Sequence, residues 1–241
     1  MDEWLSTVPV AHRGLHSPGV PENSLAAFAA AADAGYAIEL DVHLSSDGEI
    51  VVFHDDTTTR LTGTHHKVTA TSAAVLTALS LDGTSERIPL LREVLDLVAG
   101  RVPLLIEVKT GTPSALIGKP LLALLAGYAG TYAVQSFDPR IVLWLRRNAP
   151  GVTRGQISGS FAGDGVPFGQ RILLRSMVLN AVTRPDFLAF QLDALPSVVV
   201  ALWRRVLKAP LLVWTVRDPG QLRAAQRFGA NPIFESMDPR L

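Results

Sequence analysis

The chain has 241 residues, 48% of them apolar and none of them cysteine. That is enough for one large domain, and it excludes a disulfide framework, a thiolate metal site and a cysteine nucleophile. Basic and acidic residues balance at 22 each, which argues against a general nucleic-acid binder.

The opening "MDEWLSTVPV" lacks the basic region and long apolar core of a secretion signal. Runs such as "PLLALLAGYAG" and "PSVVVALW" fall short of the roughly 18 to 20 residues of a membrane span, so a cytoplasmic protein without a transmembrane helix is expected. Charge is unevenly placed: residues 1–138 hold 8 basic against 16 acidic side chains, and residues 139–241 hold 14 against 6. Arg-rich solvated helix faces would account for this, and a basic surface meeting anionic lipid or the acidic face of another copy is the sharper alternative.

In chain order, short apolar or β-branched runs alternate with helical patterns. "VPVAH" precedes a helix from Ser24 to Ala34, and "AIELD" and "IVVFH" precede one from about Leu90. "PLLIEV" is followed by a helix over Leu116 to Leu125, and "TYAVQS" by one over Ile141 to Asn148. "VTRGQIS" leads to a longer helix around Gln170 to Leu179, and "DFLAFQL", "PLLVWTV" and "NPIFES" are spaced by further helices. Eight such units without a linker predict an α/β chain folded as a single (β/α)8 TIM barrel over residues 1–241, with a doubly wound open sheet as the alternative.

Strands buried on both faces should be almost wholly apolar, so their polar residues carry information. Those residues fall at strand C-termini: His12 and Arg13, Glu39 and Asp41, His54, Glu107 and Lys109, Gln135, and Trp214 with Thr215. In a β/α barrel these ends meet at one mouth. Period-two spacing puts Glu39 with Asp41, and Glu107 with Lys109, on the same sides of their strands. Such carboxylates are either halves of ion pairs with Arg13 and Lys109 or ligands of a cation. Oxygen donors alone point to one hard divalent ion, Mg2+ or Ca2+, rather than zinc. A hard cation with arginine, lysine and two histidines suits a phosphate diester, one histidine taking a proton from the nucleophile and the other protonating the leaving alcohol. His43, His65 and His66 receive no role, and "THHK" reads as a solvated loop.

The strings "AHRG", "PENS", "IELDVHLSSDGEIVVFHDD", "IPLLREVLDL", "LLIEVK", "VQSFDP" and "VWTV" follow the order and spacing of the glycerophosphodiester phosphodiesterase family, which the chain resembles from about Val8 to Val216. The resemblance implies the same barrel, with His12 and His54 as paired acid and base and Glu39, Asp41 and Glu107 as metal ligands. By the same likeness Arg13 and Lys109 contact the phosphate, Glu22 sits at the rim, and Gln135, Phe137 and Trp214 line the substrate cleft. "PENS" has serine where threonine is commoner, which keeps an N-cap hydroxyl. "IFESMDP" lacks the family's Thr-Asp-x-Pro, so Glu235 is given no role. The short segment after His54 predicts no large lid.

The function implied is metal-dependent hydrolysis of glycerophosphodiesters to glycerol 3-phosphate and an alcohol, without a nucleic-acid partner. A lipid phosphodiesterase resembling phospholipase D or sphingomyelinase D enzymes and acting on lysophospholipids is the second reading. For it, "VPFGQRILLRSMVLNAV" would be a peripheral membrane-contacting edge rather than an ordinary barrel helix. A non-catalytic ligand-binding barrel ranks last, because every matched catalytic position is filled.

Overall fold

The structure, a computed structural model, describes residues 2–160, 169 and 174–240. The chain divides into two compact units, Val10–Ala133 and Met1–Pro9 with Val134–Leu241.

In Val10–Ala133 the strands are β1 (Val10–Ala11), β2 (Ala37–Leu44), β3 (Ile50–Val52) and β4 (Leu104–Val108). β4 runs parallel to β2 along one edge, pairing Ile38 to Val42 with Leu104 to Val108. On the other edge β1 pairs in parallel with Ala37 and Ile38, and β3 takes over in antiparallel fashion from Val42 to Leu44. Ala37 through His43 are all buried. Alternation sends Ile38, Leu40 and Val42 to one face and Glu39, Asp41 and His43 to the other, so one strand supplies both core and chemistry.

Helix Leu25–Asp33 starts at Ser24, whose hydroxyl accepts from the Ala27 amide at 3.1 Å and satisfies one of the unpaired donors of the first turn. It buries Ala27, Phe28, Ala31 and Ala32. Helix Leu91–Val98 has no polar cap residue, and Glu93 instead reaches back to the Leu90 amide at 2.7 Å. Between β3 and that helix the chain makes short helices, Thr59–Thr62 and Ala73–Leu76, over a cluster that includes Phe53, Leu61, Val68, Leu76, Leu81 and Ile88.

The second unit is a run of parallel strands in sequence order: β5 (Tyr132–Ser136, which begins at the boundary), β6 (Arg154–Ser158), β7 (Phe187–Gln191), β8 (Leu211–Val216) and β9 (Asn231–Phe234). Helices Pro139–Asn148 and Pro219–Arg227 both open with Asp then Pro, at Asp138 and Asp218, a cap followed by a residue with φ preset for the first turn. The helix expected over Gln170 to Leu179 is seen only in part. Residues 174–176 are helical, residues 170–173 lie outside the described residues, and Met177 at φ 50 breaks the helix into a turn before Asn180–Thr183. Among the described residues no helix is long and apolar enough to cross a membrane.

Candidate active site

Parallel pairing sets Asp41 opposite Glu107, with Glu39 one step back opposite Leu105. Because residues two apart share a face, the three carboxylates converge. All three are buried, and one oxygen of each lies within 4.8 Å of the others. The sequence places Glu39 and Asp41 at the end of their strand. β2 instead runs on to Leu44, because β3 gives Val42 to Leu44 a second partner.

Three buried negative charges cannot coexist unassisted. Burial first, then the charges of Asp41 and Glu107, push the Glu39 carboxyl well above the ordinary range, against the pull of Arg13. Burial also raises Glu107, against Lys109. For Asp41 burial acts upward, but Lys109, His54, Arg13 and a hydrogen bond from Asn23 together hold it low. A crowded, buried set of oxygen donors of this kind fits a hard cation, which would relieve the repulsion that raises the Glu39 carboxyl.

Lys109 donates from Nζ to Glu107 Oε1 at 2.8 Å and to Asp41 Oδ1 at 3.3 Å. Burial acts to discharge it, and the two carboxylates more than restore the ammonium form. Arg13 lies in the turn after β1 with φ 56, and Asn23 has φ 54. Left-handed backbone of this kind costs about 1–2 kcal/mol in a residue other than glycine. What holds it is a set of contacts. The Arg13 amide donates to Glu39 Oε2 at 2.9 Å, its carbonyl accepts from the Asn23 amide at 3.0 Å, and its guanidinium donates from NH1 to Glu22 Oε1 at 2.7 Å. Asn23 in turn donates from Nδ2 to Asp41 Oδ2 at 2.9 Å. Gly14 follows at φ 81 with Ala27 so close that a Cβ would stand 2.9 Å from its carbonyl carbon and from its Cβ.

His12 is half-buried in the same turn. His54 follows β3, and its Nδ1 lies 2.7 Å from Asp55 Oδ1. That contact fixes the ring and directs Nε2 away from Asp55. Burial lowers the His54 pKa, with Asp41 opposing. Asp55 and Glu22 are both gripped by Arg60, which gives Asp55 Oδ2 a 2.7 Å bond from Nε and Glu22 Oε1 a 2.7 Å bond from NH2. His43, in phase with Glu39 and Asp41, is buried with its Nε2 3.3 Å from the His54 carbonyl.

In the second unit Gln135 is buried on β5, and Phe137 meets Trp214 edge to face with ring centroids 5.6 Å apart. Glu235 accepts from Arg217 Nε at 2.5 Å, an ion pair that gives it a structural partner. The first unit therefore brings together Arg13, Glu22, Glu39, Asp41, His54, Glu107 and Lys109, and the second pairs Phe137 with Trp214.

Residues 12–235 match the Glycerophosphoryl diester phosphodiesterase family. The chain belongs to that family. Among curated relatives, the glycerophosphodiester phosphodiesterase of Caldanaerobacter subterraneus is 39% identical over 117 residues, 44% of this chain and 47% of that protein. Glycerophosphodiester phosphodiesterase 1 of Rattus norvegicus is 32% identical over 173 residues, 66% of this chain and 52% of that protein. The matched region thus spans about half the length of these two relatives.

Among solved structures, an Oleispira antarctica phosphodiesterase in complex with the product sn-glycerol-3-phosphate gives a TM-score of 0.81 at 22% identity, covering 98% of this chain and 96% of that one. A glycerophosphodiester phosphodiesterase from Thermotoga maritima gives 0.73 at 27% identity, covering 95% and 94%. These likenesses show the fold, α/β and a (β/α)8 barrel, and set aside the open doubly wound sheet.

For this glycerophosphoryl diester phosphodiesterase family member, sequence reasoning does not reach Asn23, His43, Asp55 or Arg60. His43 had a readable signal, its period-two phase with Asp41, and Asp55 had its adjacency to His54. Arg60 had none, since its partners lie 5 and 38 residues away.

Proposed function

We propose that the chain hydrolyses glycerophosphodiesters to glycerol 3-phosphate and an alcohol, using one hard divalent cation, Mg2+ or Ca2+, held by Glu39, Asp41 and Glu107. The observation that carries this reading is the buried carboxylate cluster, its oxygens within 4.8 Å, sharing its strands and turns with Arg13, Lys109 and His54. The cation would supply charge neutralisation at the phosphoryl oxygens.

The chain's own residues would do the rest. Arg13 and Lys109, each already anchored to a carboxylate, would bind the remaining phosphate charge without reorganising. His12 would take the proton from the attacking hydroxyl as it bonds to phosphorus. His54, its ring set by Asp55, would give a proton to the departing alkoxide as the P–O bond breaks. By the family likeness, Gln135, Phe137 and Trp214 would be the candidates to contact the organic part of the substrate.

The test is turnover of glycerophosphocholine and of lysophosphatidylcholine, each with and without EDTA. Release of choline from the first, abolished by chelator and restored by Mg2+ or Ca2+, is expected. Full activity in chelator would remove the metal assignment, and inactivity on both substrates with metal present would remove the reading.

One observation favours the second substrate class. On helix Val198–Leu207 the large apolar side chains Val198, Leu202 and Val206 are 87%, 57% and 60% exposed, Arg205 is exposed beside them and Lys208 just past the helix end, and the helix carries no acidic residue. An apolar stripe edged by cations is the pattern of a helix that rests on anionic lipid. The segment first read as such an edge, "VPFGQRILLRSMVLNAV", lies partly outside the described residues. Flotation with phosphatidylglycerol vesicles, lost in Leu202→Asp, would support action on lysophospholipid at a surface, and no binding at low salt would end that reading.

A further inference from the structure

Arg60 is unusual for a cation on a short surface helix. Its side chain is 46% exposed, a setting in which a long side chain normally keeps its rotamer freedom and an ion pair contributes little. Here the guanidinium is pinned by two carboxylates at once. Nε and NH2 donate to Asp55 Oδ2 and Oδ1 at 2.7 and 3.1 Å. NH1 and NH2 donate to Glu22 Oε2 and Oε1 at 3.1 and 2.7 Å.

Both contacts are two-pronged, and a fork of this geometry fixes direction as well as distance. Each carboxylate has a second partner on the very oxygen that takes NH2. Asp55 Oδ1 also meets His54 Nδ1 at 2.7 Å, and Glu22 Oε1 also takes Arg13 NH1 at 2.7 Å. Arg60 therefore joins the partner of His54 to the partner of Arg13.

We propose that Arg60 is a positioning residue. Through Asp55 it holds the His54 ring in the orientation for proton transfer, with the Glu22 carboxylate anchoring the other side of the guanidinium. Without it, Asp55 and Glu22 are two neighbouring anions with no common counter-charge, Asp55 turns toward solvent, and His54 loses its fixed rotamer. Loss of such an outer support typically costs 10- to 100-fold in activity, because proton transfer tolerates little misplacement. The role presupposes the reading of His54 as the group that protonates the leaving oxygen.

The experiment uses the full chain with metal present and compares Arg60→Gln, Arg60→Lys, Asp55→Asn, the Arg60→Gln/Asp55→Asn double variant and His54→Ala. Substrates are glycerophosphocholine and a glycerol aryl phosphodiester with an acidic phenol. Arg60→Gln is expected to lose about 10- to 100-fold in kcat on the choline ester and at most a few-fold on the aryl ester, which needs little acid assistance. The double variant should lose no more than the worse single variant, since both act on one histidine. Arg60→Lys, which keeps the charge without the fork, should fall between wild type and Arg60→Gln, and it stands in if the glutamine variant fails to fold. Equal losses on both esters, losses that multiply with Asp55→Asn, or activity within twofold of wild type would overturn the proposal. Collapse of His54→Ala alone leaves the general reading standing while Arg60 fails. An unimpaired His54→Ala removes the general reading itself.

Discussion

Replacing Glu39 with glutamine should make the metal-free protein more stable, although it removes a residue at the centre of the site. The side chain keeps its shape and its acceptor oxygen for the Arg13 amide, and loses only the charge. Glu39 faces two carboxylates whose nearest oxygens lie no farther than 4.8 Å. At an effective dielectric near 20 each such pair repels by about 3.5 kcal/mol. Arg13 offsets part of this, and protonation limits the remainder.

Taking up a proton costs about 1.4 kcal/mol for each pH unit above the ordinary value. From 4.5 to neutrality, that caps the penalty at roughly 3.5 kcal/mol. The net gain on substitution is therefore about 1–3 kcal/mol at pH 7, or a rise in Tm of roughly 3–10 °C in EDTA for a chain of this size. The pH dependence has a fixed sign. Because the folded-state value of Glu39 lies above the unfolded one, its stabilising contribution is complete below about pH 4.5 and is lost as pH rises toward the folded value. The wild-type protein without metal should weaken along that limb, and Glu39→Gln should flatten it.

A saturating divalent ion should narrow the gap and, where the gain in EDTA is near the lower figure, reverse it. At 100 times Kd it stabilises wild type by about 2.7 kcal/mol, whereas the variant, short of one anionic ligand, should gain less than half as much. Thermal denaturation from pH 5 to 8, with EDTA and then with Mg2+ or Ca2+, measures all of this. A lower Tm for Glu39→Gln in EDTA at pH 7, or an undiminished response to metal, would refute crowding as the property that defines the site.

Further outcomes follow from the same contacts. His54→Ala should be severely impaired on glycerophosphocholine, by about 10²- to 10⁴-fold, and largely restored on an ester with an acidic phenol, whereas His12→Ala should stay impaired on both. The reverse pattern in steady-state rates would exchange the two roles. If His54 is the acid, its lowered pKa makes kcat/KM decline as pH rises through a value below the usual histidine range. A rate that instead declines as pH falls through that value would make His54 the base. Partial burial pushes both carboxyls up, but Arg60, joined by His54 at Asp55 and by Arg13 at Glu22, holds Asp55 at about 2 and Glu22 below its ordinary value. Their contribution to stability is therefore present above about pH 4 and lost as pH falls toward 2, and acid denaturation of Arg60→Gln should begin at higher pH than that of wild type. Gly14→Ala combines a φ of 81 with a 2.9 Å approach to the Ala27 backbone. It should destabilise by about 2–4 kcal/mol in urea titration, and an effect below 0.5 kcal/mol would show that the turn can move.

Two kinds of information governed what could be read before folding. Period-two spacing is local, so Glu39 and Asp41 on "AIELD" and Glu107 on "PLLIEV" stood out as polar residues on otherwise apolar strands. The register that sets Asp41 against Glu107 then followed from ordinary parallel pairing. Where β2 ends was not local. Nothing in "AIELDVHL" announces that its last residues will be carried past the carboxylates by a hairpin with β3, and the hairpin is what brings His43 under the His54 carbonyl.

Ion pairs that cross long stretches of sequence were least visible. "TTTRLTG" reads as a polar turn, and only the folding of residues 53–90 over their own apolar cluster swings Arg60 back onto Glu22. The physical reason is general to sites of this type. Groups that touch a substrate must sit where strands and their following turns deliver them, and so carry a periodic signature. Groups that hold them in place need only reach, and a long side chain on any nearby surface turn will do. Leu61 sets the helix on the apolar cluster, but the exposed Arg60 side chain beside it is not held by core packing, and that freedom lets it reach two carboxylates while hiding it from pattern reading.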